Sequence, residues 1–335
     1  MKKQLSVCIT GGGTKFIGDY LYRGGKSDHF VEAAVPYSKE ALTQYLGIEP
    51  DKYCSLNTAC QMSMKAFERS KLLKDCDFKD CVGLGVCASL FSDGQRKGRE
   101  NHAHIAIQEL DALKLVSLEF RDNSRIDQEN HLAAITSIAV DDYKSLCNLD
   151  INLIDCGYIS IDIPKWYQKL LQKEIYFYSI SHQNYKYFNF SDCLVFPGSF
   201  NPFHDGHRQM IMESKKMMPD KKVVIELSIF NFDKPTVDYR SLMSRIDSIP
   251  KDLCDCIVIT NLKTFEEKIN YLRPYGLIVG YDTLARIKDI EELDANFYVF
   301  PRNGKSKAKF HIHNVKFVDV VIPDICSSKI RKGLV

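Results

Sequence analysis

The stretch Cys193-Leu194-Val195-Phe196-Pro197-Gly198-Ser199-Phe200-Asn201-Pro202-Phe203-His204-Asp205-Gly206-His207 decides how the second half of the chain folds. Its short apolar opening, ended by Pro and Gly, reads as a buried strand. Beyond it Met210, Ile211 and Ser214 recur at helical spacing, which predicts a helix over 207–217. A glycine turn joins the two. Gly198 and Ser199 let the backbone approach a ligand and offer N–H donors, and Pro202 stiffens the loop. His204 and His207 fall at the helix start, where the dipole favours anions, and Gly206 between them leaves space for a phosphate chain. Two imidazoles beside helix N–H groups suit charge on a transferring or leaving phosphate. The bland alternative is a Gly/Pro turn with two surface histidines, and so ordered a string directly after a strand argues against it.

Outward from this turn, strand-like runs at 223–229, 256–260, 276–280, 297–300 and 315–322 alternate with helical ones at 239–249, 265–271 and 327–332. Such alternation, rich in Val, Ile and Leu, predicts a Rossmann-like parallel sheet covered on both faces. The ligand then sits at the carboxyl ends of the strands, where the strand order reverses. The first half mixes helical periods at 39–46, 59–73 and 130–146 with strand-like runs at 82–88, 103–107 and 151–154. The expectation is α/β throughout, in two domains at 1–185 and 190–335. The joint between them is the polar, aromatic stretch 181–192.

Length agrees, since 335 residues correspond to about two domains. The charge balance is 45 Lys and Arg against 43 Asp and Glu, a net +2. Bulk charge therefore excludes a polybasic nucleic-acid binder. No apolar run approaches the about 20 residues of a membrane span, so no membrane partner is expected. The N-terminal apolar stretch after Lys2 and Lys3 is too short for a secretion leader and runs into Gly11-Gly12-Gly13. The expected location is cytoplasmic and reducing. The 12 cysteines include no CxxC pair and read as buried, reduced thiols. His102 and His104, like His311 and His313, each share a strand face but have no third ligand in view, so no protein-held metal is expected. Gly25-Lys26-Ser27 is not a P-loop, because Tyr20 stands where its first Gly is required.

The string Gly198-Ser199-Phe200-Asn201-Pro202 with His204-x-Gly206-His207 resembles the signature of the HxGH nucleotidylyltransferase superfamily. It is most similar to the nicotinamide and nicotinate mononucleotide adenylyltransferases. Three further segments resemble the same family in order. They are Gly280-Tyr281-Asp282 (its G-x-D motif), Arg302-Asn303-Gly304 (its R-x-G) and Ile325-Cys326-Ser327-Ser328-Lys329-Ile330-Arg331 (its I-S-S-T-x-I-R). Cys326 replaces the first Ser of the last. Tyr239-Arg240-Ser241-Leu242-Met243 resembles the family's basic-Leu-x-Met helix. The resemblance implies transfer of AMP from ATP to nicotinamide or nicotinate mononucleotide, with pyrophosphate leaving and Mg²⁺ carried by the ATP phosphates. It implies that His204, His207 and Arg331 act on the phosphates. Gly198, Ser199, Phe200, Asn201, Gly206, Gly280, Asp282, Ser327 and Ser328 would bind nucleotide. Lys234 reads equally as a phosphate ligand or as a solvated loop residue, and Arg302, in a cluster with Lys305, Lys307 and Lys309, reads first as a solvated loop residue and second as a phosphate ligand. Alternatives are a sister transferase using CTP or another phosphorylated acceptor, and a nonenzymatic nucleotide-binding protein. Phe230, Phe232 and Tyr239 stand in for an aromatic segment that sandwiches the base.

In the first half, Val7-Cys8-Ile9-Thr10-Gly11-Gly12 resembles the E-S-C-T-G-G start of CinA-like domains, many of which deamidate nicotinamide mononucleotide. Gly24–Phe30, Tyr37–Leu42 and Gly83–Cys87 resemble later motifs of that family in order. The resemblance implies a Ser nucleophile helped by Lys and Tyr. Here Cys8 stands at the Ser position and Leu42 at the Lys position, and only Tyr37 remains. The expectation is a degenerate domain whose vestigial site is Cys8, Thr10, Gly11 and Tyr37. Nucleotide binding or a homo-oligomer interface is left as its use.

Overall fold

The computed structural model describes residues 3–93, 100–121, 124–148, 154–181, 183, 188–230, 235–301, 312–320, 322–323, 325–331 and 333. The chain separates into two compact units. One is Met1–Gln168 with Asp233–Tyr239, and the other is Lys169–Phe232 with Arg240–Val335. Both are α/β, as the sequence predicts. The division falls earlier than the 181–192 stretch, because a strand at 177–179 already pairs within the second unit.

The first unit runs β1 (Gln4–Thr10), α1 (Lys15–Tyr22), β2 (Phe30–Ala34), α2 (Lys39–Leu46), α3 (Leu56–Lys74), β3 (Cys81–Ser89), β4 (Asn101–Gln108), β5 (Ala112–Phe120), α4 (Arg125–Asp141) and β6 (Ile154–Asp162). Its sheet has the order β2-β1-β3-β4-β5-β6. β1 is parallel to β2 and β3, and the β3-β4-β5-β6 ladder is antiparallel. Alternation along the strands sorts the two faces. Val7, Ile9, Leu84, Val86, Ile105, Val116 and Leu118 build one core with Phe16 and Leu132. The other face carries Ser6, Cys8, Gly83, Gly85 and Cys87 and takes α3. A Cβ on Gly83 or Gly85 would lie 2.0 Å from Ser63 O or 2.3 Å from Ala59 O, so α3 rests on bare backbone. Of the strand-like run at 151–154, Ile154 opens the longer strand β6, and residues 151–153 lie outside the described ones.

α5 (Lys165–Leu171) leads into the second unit. There follow β7 (Phe177–Ser179), β8 (Cys193–Pro197), α6 (Asp205–Met217), β9 (Lys222–Ser228), α7 (Tyr239–Asp247), β10 (Cys256–Thr260), α8 (Phe265–Leu272), β11 (Gly276–Gly280), α9 (Tyr281–Leu284), β12 (Asn296–Phe300), β13 (Val315–Phe317) and α10 (Ser327–Arg331). The sheet order is β13-β12-β11-β8-β9-β10-β7, with all pairs parallel except β7 on β10. Counting from β8 this is the doubly wound 3-2-1-4-5-6 order, with β7 added at the edge. The last strand is shorter than the 315–322 run, because its partner β12 ends at Phe300 and Pro301 has no N–H to give. Among the described residues, isolated bonds continue the pairing, Val318 N to Val299 O (2.9 Å) and Ile322 N to Pro301 O (3.1 Å).

Candidate functional site

The order reverses between β8 and β11, which pair directly with Leu194 opposite Gly276 and Val195 opposite Leu277. The turn after β8 and the turn after β11 therefore flank one crevice at the carboxyl ends of the strands, the place a doubly wound sheet binds its ligands. The first turn carries residues 198–204 and the second Gly280 and Asp282. Gly280 caps α9, and Asp282 lies in its first turn, half-buried.

His204 is the N-cap of α6, in extended backbone, and its carbonyl receives the N–H groups of His207 (2.9 Å) and Arg208 (3.1 Å). His207 sits three residues on, and its Nδ1 accepts from the His204 backbone N–H at 3.3 Å. The two imidazoles stack with centroids 3.7 Å apart. Phe200, buried, and Phe203 hold the His207 ring from the loop side at 4.9 and 5.4 Å. A Cβ on Gly206 would stand 3.1 Å from the His204 ring, a tight contact, so glycine gives that ring room over the helix start. Gly198 does the same for Phe200, whose ring would meet a Cβ at 2.6 Å. The result is a helix N-terminus with two imidazoles fixed over it, a donor-rich surface for an anion.

The C-terminal motif arrives at the same loop. Ser327 Oγ donates to Pro202 O at 3.0 Å and Arg331 Nη1 donates to Asn201 O, so α10 packs on the 201–202 turn. Ser328 faces solvent and its Oγ lies 2.9 Å from the Cys326 thiol, so the departure from serine at Cys326 still supplies a polar partner. Lys234 and Arg302 lie outside the described residues, as does Phe232. Ser248 did not stand out in the sequence. Its Oγ accepts the Phe203 N–H at 3.1 Å and pins the loop to the end of α7. Nothing local marks it, because the partner is 45 residues away.

Beneath the crevice Glu226 is fully buried on β9, opposite Pro197. It accepts from Lys268 Nζ at 2.8 Å and from Thr260 Oγ1, and its backbone carbonyl takes the Gly198 N–H at 3.0 Å.

In the first unit Cys8, Thr10 and Gly11 lie at and just past the end of β1, and Thr10 reaches the residue before Tyr37. Cys8 is fully buried on β1, and burial pushes its thiol up to about 12. Its electrostatic neighbour is Tyr45 of α2, while Tyr37 is 65% exposed. Thr10 Oγ1 is spent on Pro36 O at 2.8 Å. Past Gly11, the start of α1 holds a carboxylate of the chain itself: Glu129 accepts from Gly13 N (2.8 Å) and Lys15 N (3.0 Å). The helix start that would otherwise attract an anion is thereby filled. A thiol held protonated and away from solvent is a poor nucleophile.

Residues 195–333 match the family model of cytidylyltransferase-like domains. This stretch is thus similar to cytidylyltransferase-like domains, in the half of the chain where the nucleotidylyltransferase motifs lie. None of the curated proteins matches the chain. Among solved structures, the chain is similar to the competence/damage inducible protein CihA from Agrobacterium tumefaciens. The two share 18% identity at a TM-score of 0.32, over 43% of this chain and 86% of that one.

Proposed function

We propose that the second unit transfers AMP from Mg²⁺-bound ATP to nicotinamide or nicotinate mononucleotide, releasing pyrophosphate. The observation that carries this reading is the His204–His207 stack over the start of α6, beside the β8/β11 reversal. In this reading the triphosphate lies along the helix start, and the two imidazoles and the N–H groups of α6 meet its charge. Arg331 and Ser327, already on the loop, hold the outer phosphates. Asp282 faces the crevice from the β11 side and orients the acceptor. An oxygen of the mononucleotide phosphate attacks the α-phosphorus in line. The new P–O bond forms as the bond to the β-phosphate bridge oxygen breaks, and that electron pair leaves with pyrophosphate. No covalent enzyme intermediate is required, so the residues act by positioning and by stabilising charge.

A second reading uses CTP in place of ATP, and the cytidylyltransferase-like match favours it enough to test alongside. The test is the full chain with Mg²⁺, ATP or CTP, and either mononucleotide, followed by pyrophosphate release and chromatography of the dinucleotide. Dinucleotide from ATP is the expected result. Product from CTP alone would move the protein to the second reading. No pyrophosphate with any pair would overturn both.

A further inference from the structure

We propose that Cys54, His102 and His104 of the first unit form a binding site for a divalent transition-metal ion of the zinc type. One ligand atom from each lies within 4.8 Å of the others, in a half-buried cluster. Topology makes the cluster. His102 and His104 are two apart on β4, so both rings stand on the sheet face that receives α3. Cys54 lies immediately before Ser55, the N-cap of α3, and so is delivered to that face by the helix.

Each part is held. Ser55 Oγ accepts the Thr58 N–H at 3.2 Å, and Thr58 Oγ1 donates to Lys52 O at 2.5 Å, which fixes the turn carrying Cys54. His104 Nδ1 lies 3.0 Å from Ser117 Oγ, directly across the ladder on β5. His102 Nδ1 lies 3.3 Å from Glu100 O. With both Nδ1 atoms engaged, Nε2 is the nitrogen each ring offers. This is the outer-shell pattern that orients metal-binding histidines. The Cys54 thiol already donates to the His102 backbone carbonyl at 3.9 Å, which ties the sulfur to β4 beside the two rings.

The donor set selects the ion. One sulfur and two imidazoles suit zinc and related borderline metals, whereas Mg²⁺ and Ca²⁺ require oxygen. A tetrahedral zinc site places its ligands about 3.5 Å apart, so the three groups need close by only about 1 Å. On binding, the Cys54 S–H proton leaves to solvent, the thiolate pair forms the S–metal bond, and each Nε2 donates its lone pair. Cys87 is beside Cys54, but it is fully buried and its Sγ donates to Ser55 O at 3.3 Å. Cys87 therefore stays outside the ligand set, which is Cys54, His102 and His104.

The test uses the full chain, reduced, stripped with chelator and titrated with Zn²⁺ against a chromophoric competitor, and separately with Co²⁺. Expected are one ion per chain, a sulfur-to-cobalt charge-transfer band with tetrahedral d–d bands, and shielding of Cys54 from alkylation by Zn²⁺. Cys54→Ala and His104→Ala should each weaken binding about 100-fold or more, while Cys254→Ala leaves it unchanged. If Cys54→Ala fails to fold, the wild-type cobalt spectrum decides alone, since it requires a thiolate ligand. Absence of a stoichiometric ion overturns the proposal. So does binding that survives both substitutions.

Discussion

His207 is held by aromatic rings on the loop side and by the His204 imidazole on the other, which fixes it before any ligand arrives. Preorganised donors of this kind contribute most where charge develops in the transition state. His207→Ala should therefore lower turnover about 100-fold or more in the pyrophosphate assay. The circular-dichroism spectrum should keep its α/β shape; activity near wild type would remove His207 from the mechanism. These residues were legible in the sequence because the strand, turn and helix that present them are contiguous. Cys54 was not. It lies 48 residues from His102, and only the seating of α3 on β3 and β4 joins them. Tyr45 was hidden for a related reason: the motif pointed to Tyr37, but the helical phase of α2 turns Tyr45 toward Cys8.

At the scale of elements, strands flanked by glycine and proline were read closely. β8, β10 and β11 coincide with their apolar runs, since a central parallel strand is apolar on both faces. β5 is hidden in the sequence, because its apolar pattern is interrupted by Lys114 on one face and by Ser117 and Glu119 on the other. The Glu226–Lys268–Thr260 contact joins α8 to the sheet below the crevice. Its carboxylate has no access to water, so removing the cation leaves a buried charge without its partner. Lys268→Met should lower the unfolding free energy by roughly 3–5 kcal/mol in denaturant melts. Adding Glu226→Gln should restore part of that loss. A neutral single substitution would show that the pair is dispensable.

Across the whole molecule the many cysteines set a pH limit. Burial pushes Cys8 up to about 12 and Cys193 to about 11. In the unfolded chain their thiols ionise near pH 8.5–9. Between those values the unfolded state binds fewer protons than the folded one, so stability falls as pH rises. Below about pH 9 the full contribution is present. Above it each such thiol removes roughly 1.4 kcal/mol per pH unit until its folded value is reached. Guanidinium midpoints should drop between pH 8 and pH 10.5, and less steeply in Cys8→Ala. An unchanged slope would show that Cys8 is not the thiol that matters.

The segment 233–239 follows β9 of the second unit and ends on the first residue of α7, yet belongs to the first unit. Within the first unit Val237 O accepts the Tyr167 hydroxyl, Thr236 meets Glu68, and Tyr239 packs edge-on against Trp166 at 5.9 Å. A single cut therefore cannot yield two intact pieces. Wherever the backbone is severed between 169 and 232, the amino-terminal fragment loses a strip of its own interior to its neighbour. The polypeptide is laced rather than beaded, and inheritance by simple shuffling of end-to-end modules would have had to carry that lace along.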